Sequence, residues 1–116
     1  MWIRVALDKD SMHLAEPVSN SYVYGPHMRE FYFGQAAARK LEKDGFLRDM
    51  WRELDALVDW GDCDFFLPDK CRQLSSWLLT KLAKPVSDDD LRRIYTVMLE
   101  YTAEAIAHDT GLSFEF

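Results

Sequence analysis

The chain has 116 residues, of which 48% are hydrophobic and 14% aromatic, and this composition excludes a disordered chain and predicts one domain over residues 1–116. Its formal net charge is −6, and residues 46–116 account for all of it, with fourteen acidic against eight basic residues. Nucleic acid is a poor partner for such a surface, because phosphate binding depends on clustered lysine and arginine, whereas a basic protein is a better one.

The N-terminal residues 2–7 predict a strand, because β-branched and other apolar residues alternate along them. Residues 8–20 contain Asp, Ser, Pro17 and Asn20 and predict a loop. The following stretch allows two interpretations. Residues 21–24 and 30–33 suit strands flanking a turn at Gly25-Pro26, and Pro26 also suits the first position of a helix. We favour a helix over 27–43, since residues 35–42 are strong helix formers and Asp44-Gly45 suits a C-terminal cap.

Two further helices are predicted from apolar residues spaced three and four apart. The first covers 46–59, is broken by Trp60-Gly61-Asp62, and has the apolar stripe Leu47, Met50, Trp51, Leu54, Leu57 and Val58. The second covers 69–83, follows Pro68, and has the inward positions Cys71, Leu74, Trp77, Leu78 and Leu82. We expect Lys84-Pro85 to end it.

The last helix is predicted to start at Ser87, whose side chain can cap free backbone donors, with Asp88 to Asp90 at the positive helix end. Its apolar stripe runs from Leu91 to about His108, and Gly111 is expected as its C-terminal cap. Residues 112–116 alternate apolar and polar, which indicates a final strand. The expected fold class is α+β and mainly helical, with three to four helices on a small sheet that includes the N- and C-terminal strands. We expect the last strand to pair with the first.

The sequence carries no recognisable catalytic, metal-binding or nucleotide-binding motif, so we expect no enzyme and no cofactor. Cys71 lies on an apolar helix stripe, and Cys63 lies between two aspartates, whose charge disfavours a reactive thiolate. The histidines His13, His27 and His108 are scattered, and the five glycines are isolated. The chain also lacks an apolar run of the roughly 20 residues that cross a bilayer, and a secretory signal, so we expect a cytoplasmic protein without a membrane partner.

One stretch predicts a binding surface. Residues 55–69 hold five aspartates and no basic residue, together with aromatic side chains. Opposite charge speeds the encounter with a cationic partner, and aromatic rings supply contact energy. The candidate partner-binding residues are Asp55, Asp59, Trp60, Asp62, Asp64 and Phe65. A structural interpretation stays open, in which Phe65 and Phe66 fill the core while the aspartates cap helices.

The leading functional hypothesis is a protein-binding module, most concretely an inhibitor of a basic, nuclease-like effector or toxin. Small acidic bacterial immunity proteins, which cover the active sites of cationic nuclease toxins, are similar in size and charge. In such an inhibitor Asp59, Asp62 and Asp64 would stand in for phosphate and Trp60 would anchor the contact. Two alternatives remain: a structural or homodimeric scaffold, and a small enzyme whose site assembles from His27, His108 and distant acids.

Overall fold

The computed structural model describes residues 1–14, 22–24 and 27–116. Within these ranges four helices accompany six strands, and a single 3-10 turn, Lys9–Ser11, follows the first strand. In chain order the elements are β1 (Trp2–Ala6), β2 (Met12–Leu14), β3 (Tyr22–Tyr24), β4 (Met28–Tyr32), α1 (Gln35–Lys43), α2 (Phe46–Leu54), β5 (Cys63–Phe66), α3 (Pro68–Leu82), α4 (Asp89–His108) and β6 (Leu112–Glu115). The mainly helical α+β fold predicted from the sequence is confirmed.

The main sheet has four antiparallel strands in the order β4-β1-β6-β5. The predicted pairing of the last strand with the first is confirmed, with Trp2 opposite Glu115 and Val5 opposite Leu112. These two strands lie at the centre of the sheet, so β4 and β5 form its edges. The strands β2 and β3 form a separate antiparallel pair, with His13 opposite Val23.

The helices cover one face of the sheet because that face is apolar. Alternate residues of β1 and β6, among them Ile3, Val5 and Phe114, are fully buried. The helix α4 packs on β1 and β6, and α3 packs on α4. Both helices bury most of the stripes predicted from their spacing, with Leu74 and Leu78 of α3 and Met98 of α4 at zero exposure, while Trp77 and Leu82 of α3 are half-buried.

The helix predicted over 27–43 is wrong in its first part. Residues Met28–Tyr32 form the edge strand β4 on β1, and helix α1 starts at Gln35. The alternative of two strands is closer to the structure, although β3 pairs with β2 and β4 pairs with β1. Sheet pairing therefore overrides the local helix signal. The predicted turn at Gly25-Pro26 and residues 15–20 of the loop predicted over 8–20 lie outside the described residues.

The helix predicted over 46–59 ends early, at Leu54, because Asp55 adopts the left-handed conformation with φ of 53°. Of the two predicted stripe residues beyond Leu54, Leu57 is 60% exposed, whereas Val58 is buried at 3% exposure. Trp51, which was predicted to face the core, is 59% exposed. Two strands were also missed: β2 lies within the predicted loop 8–20, and β5 lies between two predicted helices, where no element was expected.

The ends of α4 differ from the prediction by one and two residues. Its N-cap is Asp88, whose carboxylate accepts a hydrogen bond of 3.0 Å from the Leu91 N–H, and not Ser87. Its C-cap is Asp109, in the left-handed conformation with φ of 52°, and not Gly111. Gly111 is buried instead against β5, where a Cβ atom would lie 2.2 Å from the Phe65 ring.

Candidate functional site

The predicted binding residues lie on the connection that follows α2 and on the edge strand β5. The connection begins at Asp55, and the Lys70 ammonium group of α3 donates a hydrogen bond to the Leu54 carbonyl at the end of α2. The positive charge of Lys70 at the carbonyl end of α2 interacts favourably with the helix dipole. The chain then turns at Gly61, with φ of 79°, before entering β5. The start of the acidic segment is therefore fixed beside α3, and its turn into β5 is set at Gly61.

The two aromatic residues of the prediction are both half-buried. The Trp60 ring stacks on Phe116, with ring centroids 5.2 Å apart and an angle of 30° between the planes. The Phe65 ring lies over Gly111, where its Cε1 atom would be 2.6 Å from an added Cβ. Each ring therefore contributes to packing within the chain and presents only part of its surface outward.

The carboxylates of the segment fall into two groups, because Asp59 and Asp64 accept hydrogen bonds within the chain whereas Asp55 and Asp62 are exposed. Asp64 accepts a hydrogen bond of 3.3 Å from the Asp59 N–H, and Asp59 accepts one of 2.8 Å from the Trp60 N–H. These bonds order the connection before β5. Asp55 and Asp62 are exposed, and no hydrogen bond of their carboxylates to a described residue is present. They are therefore available to a partner.

The acidic surroundings change the acid–base chemistry of β5. The pKa of Asp64 lies above its ordinary value of 3.8, mainly because the group is partly buried and also because of the charges of Asp62 and Asp59. The hydrogen bond from the Asp59 N–H acts in the opposite direction and lowers the pKa. The pKa of the Cys63 thiol is also raised, by burial and by Asp62 and Asp64. This direction agrees with the unreactive Cys63 expected from the sequence.

A shallow groove of about 420 Å³ runs beside β5. Three of the six predicted residues line it, namely Asp55, Asp64 and Phe65. Asp59 joins them through its hydrogen bond to Asp64, whereas Trp60 and Asp62 lie outside the lining. We call this site the acidic groove. Its residues are Asp55, Leu57, Asp59, Asp64, Phe65, Leu67, Asp69 and Lys70.

The sequence analysis missed two apolar residues of the acidic groove. Leu57 is 60% exposed and Leu67 is 53% exposed. Leu57 was assigned to the apolar stripe of an overlong helix, and Leu67 was not assigned to any element. The positive φ of Asp55, which releases Leu57 from that stripe, has no strong signal in the sequence, since glycine commonly marks such positions and aspartate adopts them only occasionally.

A second depression, which the sequence analysis did not identify, has a volume of about 700 Å³ and lies between α2, α3 and the start of α4. Its wall on α2 carries Asp49 and Glu53, and its wall on α3 carries Trp77 and Lys81. We call it the interhelical cleft, and its full lining is Asp44, Asp49, Glu53, Leu54, Ser76, Trp77, Thr80, Lys81, Lys84, Pro85, Val86, Ser87, Asp88 and Leu91.

The Asp44 carboxylate connects Tyr95 of α4 with Lys81 of α3 beside the interhelical cleft. An oxygen of Asp44 accepts a hydrogen bond of 2.5 Å from the buried Tyr95 hydroxyl and lies 2.8 Å from the Lys81 ammonium group. Burial and the adjacent Asp44 carboxylate raise the pKa of Tyr95, so the phenol stays neutral and donates. The Lys81 ammonium group also lies 5.7 Å from the Trp77 ring centroid and 5.8 Å from that of Tyr95.

The residues of the enzyme alternative are held in separate places. His27 contacts the Asp8 carboxylate at 2.5 Å through Nδ1, and His108 contacts Glu104 at 3.0 Å through Nε2. Neither histidine lines the acidic groove or the interhelical cleft. The buried Cys71 donates its S–H to the Phe66 carbonyl, and burial raises its pKa to about 11. Among the described residues, no group of three or more His, Cys, Asp or Glu is arranged to hold a metal ion.

Comparison with known proteins gives no relative: no family model matches the sequence, and neither the curated proteins nor the solved structures provide a significant match. In the part of the chain that the structure describes, no helix has the length and apolar character needed to span a membrane. The functional proposals below therefore stand on the geometry and charge of the two depressions alone.

Proposed function

We propose that the protein is a binding module that recognises a basic protein through the acidic groove, and that its most concrete role is inhibition of a cationic, nuclease-like effector. The observation that carries the proposal is the combination of exposed carboxylates with exposed leucines in one groove. Asp55 and Asp69 are exposed beside Leu57 and Leu67, whose exposures are 60% and 53%.

Each component of the groove has a distinct part in recognition. Carboxylates attract and orient a cationic surface, which raises the rate of association at low salt. Leucine side chains lose contact with water when a partner covers them, and this burial supplies free energy of roughly 1.5–3 kcal/mol for a fully buried side chain. Because Asp59 and Asp64 are hydrogen-bonded within the connection, the groove is ordered before the partner arrives.

The raised pKa of Asp64 supports the same proposal. Burial and the charges of Asp62 and Asp59 disfavour ionisation of Asp64, and natural proteins carry such local conflicts mainly at functional sites. A basic partner would relieve this repulsion on binding. In an inhibitor the carboxylates would occupy the position of nucleic-acid phosphates, and inhibition would follow from steric and electrostatic occlusion.

The test is co-purification of the tagged protein from cells that also express its neighbouring gene products, followed by a salt gradient and then calorimetry with the partner identified. We expect one stoichiometric basic partner, eluted by salt. Changing Asp55 and Asp69, the exposed carboxylates of the acidic groove, to Asn should weaken binding by at least about tenfold, since hydrogen bonds to charged groups contribute roughly 1.5–3 kcal/mol each.

The matched control changes Asp10 to Asn and Glu42 to Gln, two exposed carboxylates outside the acidic groove. It alters the net charge by the same amount, so it separates a local contact from a general charge effect. Equal weakening by both double variants, or no basic partner, contradicts the proposal. Self-association detected by light scattering and lost in a Leu57→Ser variant would instead favour the homodimer alternative.

A further inference from the structure

The interhelical cleft has the volume of a small-molecule site, and its lining suits a positively charged ligand. Ligand pockets commonly occupy about 300–1,000 Å³, and this cleft has about 700 Å³. Trp77 forms an aromatic part of its wall and is half-buried. Carboxylates outnumber ammonium groups in the lining, with Asp44, Asp49, Glu53 and Asp88 against Lys81 and Lys84.

The chain's own Lys81 shows which chemistry these walls stabilise. Its ammonium group lies 2.8 Å from an Asp44 oxygen and within 5.8 Å of the centroids of two aromatic rings, which is the arrangement that favours alkylammonium ions. Lys81 uses Asp44, and Lys40 lies 3.0 Å from Asp88. Two of the four carboxylates of the cleft are therefore already compensated.

On the α2 wall, Glu53 has no such cation beside it among the described residues, and Asp49 is paired through one of its two oxygens. Asp49 and Glu53 are four residues apart on one helix and therefore lie on the same face. Arg48 contacts only the Oδ1 atom of Asp49, at 3.2 Å, and Glu53 forms no ion pair within the described part of the chain. On the α3 wall, the hydroxyl protons of Ser76 and Thr80 are donated to helix carbonyls, so their oxygens are left as acceptors.

We propose that the interhelical cleft binds an organic amine, with its ammonium group between Asp49 and Glu53 and its apolar stem against Trp77. This site is independent of the acidic groove and of the function proposed for it. Lys84 also lines the cleft, is exposed, and opposes the binding of a cation. Replacing Lys84 by a neutral residue should therefore strengthen the binding of an amine, whereas it would weaken the binding of an anion.

The experiment follows the indole N–H resonance of Trp77, assigned with a Trp77→Phe variant, during titration with pentylamine at neutral pH. Pentanol, which has the same stem without the charge, is the control ligand. We expect a saturable shift with pentylamine and none with pentanol. Glu53→Gln and Asp49→Asn should each weaken binding roughly tenfold, as expected for one charged hydrogen bond. Lys84→Met should strengthen it, and Glu42→Gln, outside the cleft, should leave it unchanged.

A second titration uses an N-acetylated, C-amidated lysine, which presents the same ammonium group as a protein side chain would. Tighter binding of pentylamine assigns the cleft to free amines, and tighter binding of the lysine derivative assigns it to a side chain of a protein. No saturable shift by either ligand at millimolar concentration overturns the proposal, as does binding that is insensitive to both carboxylate variants. These outcomes require no protein partner, so they do not depend on the acidic groove.

Discussion

Gly111 is the residue on which the position of Phe65 depends. It lies between α4 and β6, and an added Cβ would be 2.2 Å from the Phe65 Cζ atom and 2.9 Å from the Phe66 carbonyl oxygen. The ring can move, but the carbonyl belongs to strand β5 and cannot move without disturbing the sheet. The glycine is therefore required by the close approach of β5, and not by a left-handed backbone.

We predict that Gly111→Ala lowers the free energy of unfolding by roughly 1–3 kcal/mol, the usual effect of forcing a group into a packed site. Urea denaturation followed by circular dichroism measures it. Gly34→Ala is the control, since no atom lies within 4 Å of the Cβ added there. Equal effects of the two changes would show that lost backbone freedom, and not the contact with β5, decides the result.

Asp64 provides a second test at the residue scale, through pH. Its pKa in the folded chain is above the ordinary 3.8, so the fold holds the proton more tightly than the unfolded chain does. The stabilisation linked to this proton is complete below pH 3.8 and is lost as the pH rises through the higher folded pKa. At neutral pH the ionised carboxylate therefore opposes folding.

We predict that Asp64→Asn raises the free energy of unfolding at pH 7 and has little effect at pH 3.5, because the amide is neutral at both pH values and can still accept from the Asp59 N–H. Urea denaturation at the two pH values measures the difference. Asp55→Asn, at an exposed residue, is the control. A variant that is less stable than the parent at pH 7 would show that the carboxylate of Asp64 supports the fold.

At the scale of elements, the start of α4 depends on one side chain. The Asp88 carboxylate accepts from the Leu91 N–H at 3.0 Å, and this bond and the ammonium group of Lys40 lower the pKa of Asp88. Lys40 lies in α1 and bridges Asp88 and Asp90, at 3.0 and 2.8 Å. The cap thus begins α4 and also connects it to α1.

We predict that Asp88→Ala lowers the free energy of unfolding by about 1 kcal/mol, the usual effect of removing a cap. Asp88→Asn should have a smaller effect, since an amide oxygen also caps. Ser87→Ala should change stability by less than about 0.5 kcal/mol, as surface substitutions usually do. Thermal unfolding of the three variants measures the order. A larger effect at Ser87 than at Asp88 would contradict the observed cap.

The elements differ in how far the sequence could predict them. The helices α3 and α4 were predictable because each carries a complete apolar stripe, and β1 and β6 because their residues alternate. The strand β4 was not, since Met28–Tyr32 has no clear alternation and is extended only through its pairing with β1. The strand β5 was hidden for a similar reason, because its apolar residues are adjacent and an aspartate interrupts them.

The candidate site was also predictable only in part. The acidic character of residues 55–69 is local and visible in the sequence, and three of the six proposed residues do line one groove. The exposure of Leu57 follows from the early end of α2, which depends on one backbone conformation. The interhelical cleft combines residues of three helices and two connections, so no local pattern indicates it.

At the scale of the whole molecule, the sheet is closed by strands from opposite ends of the chain. The centre of the sheet is the pair formed by β1 and β6, and every other strand of that sheet attaches to one of these two. Contacts between residues far apart in sequence form slowly, because the intervening chain must lose its freedom first. The helices α3 and α4 pack together locally and can associate earlier.

This arrangement has a consequence for synthesis. When β1 leaves the ribosome, its neighbour β6 has not yet been translated, and α4 emerges before the second central strand on which it packs. The nascent chain therefore carries an incomplete sheet, whose apolar face stays exposed until β6 has been synthesised. The acidic groove, whose edge strand β5 is attached to β6, acquires its shape only when β6 has joined the sheet.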